Sequence, residues 1–461
     1  MSKNKIVLFL ITLAILIRIP LLFLNPVSMW ADPVVRFIPN TYNVIEGDLS
    51  FYTPPLLMIM NALPAIFLDG FVLELILKFT PFLFFILSCF VFLKILKIID
   101  LKKFEKILLL CLFLFSIYSI LMSTTIMLEM LVLFFTLCLF YILEKNEKIG
   151  VELFIILSLL STLLVYSKQT GYFILTGFFL YIIFKKIDKK QKKFILLALL
   201  TGLLLNSPWI IKNKIIHGTF FGSEIVEMEG KSLVDFNTNY FQLISFSFHY
   251  FYRIPLLSKL DYGGIFFILS RTYYFSFLTI SFLLSATILV GIFKFGLKYK
   301  KYLLMITPIF LLSFWWTFFS PIHSYNDFGR FMFSFYFLFF FFGLKFIESV
   351  KKINLKRFFY AIIILFCIFS LITSFAASFE FNKKDKEIKK LAEVIKEKEG
   401  SFASNDMFTS TVLTYYSKKN VQFLLSENKI DENIKCSRGL IYSSEKYKIS
   451  ENNFEYEICK T

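Results

Sequence analysis

The chain is predicted to be an all-α polytopic membrane protein of about eleven transmembrane helices, ending in a small external α/β domain. Three observations lead there. Of its 461 residues, 57% are hydrophobic and 18% charged, against roughly a quarter charged in ordinary soluble proteins. Uninterrupted apolar runs approach the ~20 residues a helix needs to cross a bilayer. Basic residues concentrate in alternate connectors between those runs. With 63 Phe against 17 Gly and 12 Pro, the composition also excludes a soluble enzyme, a disordered chain, collagen and a coiled coil.

The charge pattern fixes the expected topology. Connectors 1–5, 94–106, 144–148, 185–193, 294–301 and 345–357 hold 24 Lys and Arg against six acids, a balance of +18, so they account for essentially the whole net charge of +17. The other connectors are poor in Lys and Arg: Arg36 alone in 25–70, none in 122–125, Lys168 alone in 167–170 and Arg330 alone in 320–330. The positive-inside rule places the basic set in the cytoplasm and the sparse set outside. The basic balance is therefore a topology signal and gives no support to a nucleic-acid partner, which would need the charge gathered on one soluble face.

In chain order, the expected spans are 6–24, 71–93, 107–121, 126–143, 152–166, 171–184, 194–210, 273–293, 302–319, 331–344 and 358–378. Eleven spans with a cytoplasmic N-terminus leave every sparse connector and the tail outside, in the cell membrane. The stretch 56–68 reads as a re-entrant or interfacial helix, because a further span would invert every later connector. The first span follows Lys3 and Lys5 but carries no small-residue cleavage site, so it reads as a retained anchor. The transmembrane domain is thus expected over 1–379, with external loops 25–70 and 211–262, and the external domain over 380–461. That tail holds 15 basic and 14 acidic residues. A Lys/Glu-rich helix near 383–398 and a second near 408–417 stand among short apolar runs at 421–425, 439–442 and 454–458, the pattern of a compact α/β fold. Such a module either helps admit the acceptor or acts as a stabilising lid.

Cys89, Cys111, Cys138 and Cys367 fall in spans and read as small apolar residues. Cys436 and Cys459 lie in the tail, either bridged or left as thiols according to the redox habitat. His217, His249 and His323 are widely separated, and no zinc, P-loop or dinucleotide spacing is present, so no metal or cofactor is predicted. Asp32 and Glu129 could share a divalent ion with a bound phosphate, but none is predicted.

Chemistry is expected where polar residues meet the outer membrane face, in four clusters. The connector 25–70 carries Trp30, Asp32, Arg36, Asp48, Tyr52, Pro54 and Pro55. A carboxylate beside Trp30 at the interface suits general-base work, while Asp32 followed by Pro33 also fits a helix cap. Glu129 sits about one turn into the outer end of a span, where an ionised acid costs on the order of 2 to 3 kcal/mol and calls for a partner, a cavity or headgroup water. Lys168 in the turn Tyr166-Ser-Lys-Gln-Thr-Gly171 and Arg330 in His323-Ser-Tyr-Asn-Asp-Phe-Gly-Arg330 could clamp a phosphate or snorkel to the interface.

Taken in order, these features resemble the integral-membrane glycosyltransferases of the GT-C superfold. The closest likeness is to the group of protein O-mannosyltransferases and aminoarabinose transferases, glycosyltransferase family 39. The resemblance runs over most of residues 1–350: Asp32 after a first span, Gly47-Asp48, the Tyr52-Thr-Pro54-Pro55-Leu56 run, Glu129, the Lys-Gln-Thr-Gly turn, Ser207-Pro-Trp209-Ile-Ile-Lys212-Asn213 with Gly218 beyond, and Arg330-Phe331. It implies inverting transfer of a sugar from a polyprenyl-phosphate donor to an acceptor protein, lipid or glycan at the external face, among membrane lipids and without a nucleotide cofactor. Carried over, Asp32 matches the acid that activates the acceptor and Glu129 the second acid. Lys168, Arg330 and Lys212 fall where donor phosphate would be held, and Trp30, Arg36, Asp48, Tyr52, Pro54 and Pro55 form the substrate loop. Many relatives have Asp-Glu where this chain has Asp32-Pro33, and the aminoarabinose transferases have Lys where it has Thr53. A transporter or flippase of lipid-linked sugars, or a polysaccharide polymerase or ligase, is the competing expectation, although no internal repeat of transporter type is apparent.

Overall fold

The computed structural model describes residues 3–29, 32–51, 53–68, 70–146, 150–218, 265–319, 327–397, 402–404, 407–418, 421–423, 441–443, 447–451 and 454–460. Trp30, Tyr52, most of loop 211–262, and the Cys436–Cys459 pairing considered above lie outside the described residues.

Helix α1 (Lys3–Leu24) leads through a 3-10 turn (Val27–Met29) and a π-helical turn (Pro33–Phe37) into α2 (Ile38–Ile45) and α3 (Leu56–Phe67). Then follow α4 (Gly70–Ile98), α5 (Lys103–Phe115), α6 (Ile117–Met122), α7 (Glu129–Lys145), α8 (Val151–Ser167), α9 (Thr170–Phe184), α10 (Lys189–Leu204) and α11 (Ser207–His217). Beyond the loop come α12 (Ile265–Phe295), α13 (Lys300–Phe319), α14 (Asp327–Met332), α15 (Tyr336–Ser349) and α16 (Ile353–Glu397). Among the described residues, six helices are long and apolar enough to cross a bilayer: Lys5–Leu24, Val72–Ile98, Lys189–His217, Ser276–Phe295, Arg330–Ser349 and Ile353–Glu397. The chain is a helical membrane protein.

Two stretches at the centre of the bundle are buried almost throughout, one running from α5 through α7 and the other being α15. The apolar run 107–121 is not one helix. It breaks at Ser116, whose extended backbone (φ −67°, ψ 146°) separates α5 from α6 without Gly or Pro. The run 194–210 likewise stops at Leu204 and restarts as α11 with Pro208 in its first turn, where a missing N–H costs nothing. Helices α9 and α13 touch closely at Gly177, where a Cβ would stand 2.1 Å from the Met305 carbonyl oxygen. Gly177→Ala should therefore lower stability by about 1 to 3 kcal/mol, read as a drop in the detergent melting temperature.

At the basic end of the bundle a hydrogen-bonded network ties the helices together. Glu144 accepts from Lys301 (2.6 Å), Tyr302 (2.6 Å) and Tyr181. Asp100 accepts from Tyr299 and pairs with Lys345 at 3.1 Å, and the Tyr299 hydroxyl holds this carboxyl below the usual carboxylate range. Glu144 lies near one end of α7 and Glu129 opens the other, 15 residues or roughly 22 Å away.

Helix α16 is the longest, 45 residues, which at 1.5 Å per residue is roughly 68 Å, about twice the hydrocarbon thickness. The expected boundary at 379/380 falls inside it. No Gly or Pro stands between Ile353 and Glu397, so the last apolar run and the Lys/Glu-rich stretch form one rod. Beyond it, β1 (Phe402–Ser404), α17 (Met407–Ser417), β2 (Val421–Phe423), β3 (Ile441–Ser443), β4 (Tyr447–Glu451) and β5 (Phe454–Lys460) build a five-stranded sheet in the order β2-β1-β3-β5-β4. The pairs β1/β2 and β3/β5 are parallel, and β1/β3 and β4/β5 antiparallel. Helix α17 packs against α16 and against the turn Pro33–Phe37.

Candidate functional site

Five of the charged residues singled out in the sequence meet in one cluster. Asp32 precedes the Pro33 that opens the π-helical turn, and its carboxylate makes no capping hydrogen bond. Instead Oδ2 accepts from Arg330 Nη2 at 2.9 Å, and Oδ1 lies 3.7 Å from Arg36 Nη1 one turn further on. Glu129 is the first residue of α7, where the helix dipole favours a negative charge. Its side chain is only 3% exposed, and Oε1 accepts from both Arg330 Nε and Lys168 Nζ at 2.8 Å. Lys168 sits in the extended link between α8 and α9, with its ammonium 5.3 Å from the centre of the Phe331 ring. Lys168 and Arg330 are turned inward onto these acids, their side chains 15% and 13% exposed.

Arg330 is therefore the hub. Its planar fork presents one edge to Asp32 and another to Glu129, residues 298 and 201 positions away in sequence. Among the described residues, three cations, Arg36, Lys168 and Arg330, face the two carboxylates. Oε2 of Glu129 is buried without a hydrogen-bond partner among the described residues, a place where a ligand hydroxyl could donate. Within those residues no group of three or more His, Cys, Asp or Glu side chains is arranged to hold a metal ion.

Lys212, also expected to hold donor phosphate, is not among the residues that meet at Arg330. Its ammonium donates to the carbonyls of Leu49 and Phe51, both at 2.7 Å, and lies 3.6 Å over the Trp209 ring. The His217 ring meets the Ser50 carbonyl at 2.5 Å. Helix α11 thus grips three consecutive carbonyls of the loop that follows Asp48. Asp48 itself closes a local turn, with Oδ1 accepting from the Ser50 N–H at 2.7 Å, and hydrogen bonds from Ser50 hold its carboxyl below the usual range. Pro54 and Pro55 are buried, and Pro55 directly precedes α3.

The segment that carries Asp32 is fixed by residues that the sequence reading did not single out. Lys78, buried in α4, donates to the carbonyls of Leu22 (2.6 Å) and Asn25 (2.9 Å) at the end of α1. Asn25 donates to Thr124 Oγ1 at 2.6 Å, tying the Asp32 segment to the turn before Glu129. Asn382 of α16 donates to Leu24 O at 2.7 Å. Asp385, buried on the same helix, accepts from Ser28 and from Tyr416 of α17 (2.6 Å) and pairs with Lys389 at 3.0 Å. A charged residue inside an apolar run was the available signal for Lys78. Asp385 lies in a Lys/Glu-rich stretch where nothing marks one acid as buried.

Asp385 bonds Ser28, four residues before Asp32, and so ties α16 to the start of that segment. Asp385→Asn should lower the melting temperature in detergent, because the carboxylate loses charge-assisted bonds worth about 1.5 to 3 kcal/mol each. Tyr416→Phe should reproduce part of that loss; unchanged melting temperatures in both variants would show that these bonds do not hold the segment.

No protein-family model matches this chain, nor does any curated protein or solved structure.

Proposed function

We propose that the protein is a membrane glycosyltransferase that moves a sugar from a polyprenyl-phosphate donor to an acceptor protein, lipid or glycan. The reading includes eleven spans in the GT-C manner, a cytoplasmic N-terminus, and an active site and small C-terminal α/β domain on the external face of the cell membrane. The observation that carries it is the convergence of Asp32, Glu129, Lys168 and Arg330 at the end of α7 remote from the basic connectors.

The chemistry follows from that arrangement. Asp32 takes the proton of the acceptor hydroxyl or amine as that nucleophile attacks the anomeric carbon. The bond from that carbon to the phosphate oxygen breaks on the opposite face, its electron pair leaving with the polyprenyl phosphate, so the configuration inverts. Negative charge grows on the leaving phosphate, where Lys168 and Arg330 supply fixed positive charge in a site shielded from water. Arg330 already lies between the two carboxylates, the place a bridging divalent ion would take, so the reading includes no metal. Apolar helix surface is available on every side for the polyprenyl chain, including Leu63, Ile66 and Phe67 on α3.

The decisive assay is release of free polyprenyl phosphate from a panel of polyprenyl-phosphate sugars by the protein in nanodiscs, alongside transbilayer movement of the same lipids in vesicles. The transferase reading expects donor turnover without flipping. Flipping without turnover of any donor would make the charged cluster part of a transport path.

A further inference from the structure

We infer that Asn206, Trp209 and Asn213 form a neutral subsite for sugar hydroxyls on the inward face of α11, a proposal that rests on the transferase reading for the class of ligand. The three residues follow one another at helical spacing and are 1%, 9% and 2% exposed. The Asn206 amide donates to the Gly202 carbonyl at 2.8 Å, which fixes its orientation and leaves Oδ1 as the acceptor without a partner. Trp209 Nε1, a donor, and Asn213 Oδ1 are likewise buried with no hydrogen-bond partner among the described residues. Buried polar atoms are almost always bonded, so three orphans on one stripe call for a ligand that both donates and accepts. A hydroxyl does both.

The rest of α11 supports this placement. Ile211, Ile215 and Ile216 are exposed, so the apolar face looks outward and the polar face inward, the reverse of a water-soluble helix. Polar faces turned inward at membrane depth mark substrate paths. Trp209 lies 5.7 Å from the Phe51 ring, which puts aromatic surface beside the orphan atoms for a sugar face to lie against. The Lys212 ammonium beside it is engaged by two carbonyls and the indole, so the stripe offers no free charge to a phosphate. The helix that ends beside Lys168 also touches the segment ahead of α11: the Tyr166 hydroxyl, two residues before Lys168, lies 3.5 Å from the carbonyl oxygen of Leu205, the neighbour of Asn206. A donor could thus have its phosphate at Lys168 and Arg330 and its sugar against α11.

The test uses the full chain in nanodiscs and two kinds of labelled probe, decaprenyl phosphate bearing mannose, glucose or arabinose, and bare decaprenyl phosphate. Wild type should bind at least one sugar-bearing lipid more tightly than the bare lipid. Asn206→Leu, Asn213→Leu and the milder Trp209→Phe should each weaken that lipid tenfold or more while changing the bare lipid less than twofold. The melting temperature of ligand-free Asn213→Leu should hold or rise, because an unpartnered buried oxygen is removed, whereas Asn206→Leu also gives up the bond to the Gly202 carbonyl. Equal weakening of both lipids, unchanged affinity in all three variants, or no sugar-dependent binding by wild type would overturn the subsite. Carrier-phosphate release separates this from the broader reading. Release with unaffected sugar affinity sinks the subsite alone, whereas sugar-dependent binding lost in the variants without any release sinks transfer and leaves the subsite standing.

Discussion

Asp32→Asn is expected to lower release of the carrier phosphate by about 10²- to 10⁴-fold, the range that loss of a positioned general base produces. Asparagine keeps the shape of the side chain and can still accept from Arg330 through its amide oxygen, so the hub at 2.9 Å need not collapse. What it cannot do is take the acceptor's proton. The pair involves a carboxylate 24% exposed, and such partly solvated pairs contribute on the order of 1 kcal/mol, so the melting temperature should shift by only a few degrees. Activity and stability therefore part company, and binding of the donor lipid should be nearly unchanged. Asp32→Glu tests position, since one added methylene moves the carboxylate along the site and should recover only part of the rate. Turnover within twofold of wild type in Asp32→Asn would remove Asp32 from the chemistry and leave it as a partner of Arg330.

The members of the charged cluster were legible because charge is costly in an apolar setting. Glu129 stands in an apolar run and Lys168 and Arg330 each stand next to one, and an ionisable group there needs a partner whichever reading is true. What the sequence could not show was that they partner one another, since Arg330 lies 201 positions from Glu129 and 298 from Asp32. Lys212 shows the opposite difficulty. It stands in a similar setting, yet its partners are backbone carbonyls, which have no side-chain signature to read. The break at Ser116 was hidden for a related reason. No breaker residue marks it, and Arg18 helps to hold it, donating to the Leu114 carbonyl at 2.7 Å and to Ser123 at 2.7 Å from a helix about 100 residues earlier. In the tail, the boundary at 379/380 was drawn where hydropathy changes, but a helix ends where backbone bonding ends. Good helix formers carry α16 straight from apolar to charged sequence.

Arg330→Ala should be the most damaging single change in the protein. It removes the donor that both acids share, leaving Glu129 to Lys168 alone and Asp32 to Arg36 at 3.7 Å. The Arg330 and Glu129 side chains are 13% and 3% exposed, and the Lys168 ammonium still faces Glu129, so the loss should cost less than about 3 to 5 kcal/mol, the cost of a buried charge left with no partner. Turnover should fall by at least about 10³-fold, since transition-state charge loses one of its two fixed cations as well as the geometry of Asp32. Arg330→Lys separates the two contributions. A single ammonium can pair with Asp32 or with Glu129 but lacks the fork that spans both, so stability should recover more fully than rate. In a cycle of Arg330→Ala and Glu129→Gln the losses of stability should be less than additive, because both substitutions remove the same contact, and the double variant should remain inactive. Additive losses in that cycle, measured by thermal unfolding in detergent, would show that the two side chains are not coupled and would take the hub apart.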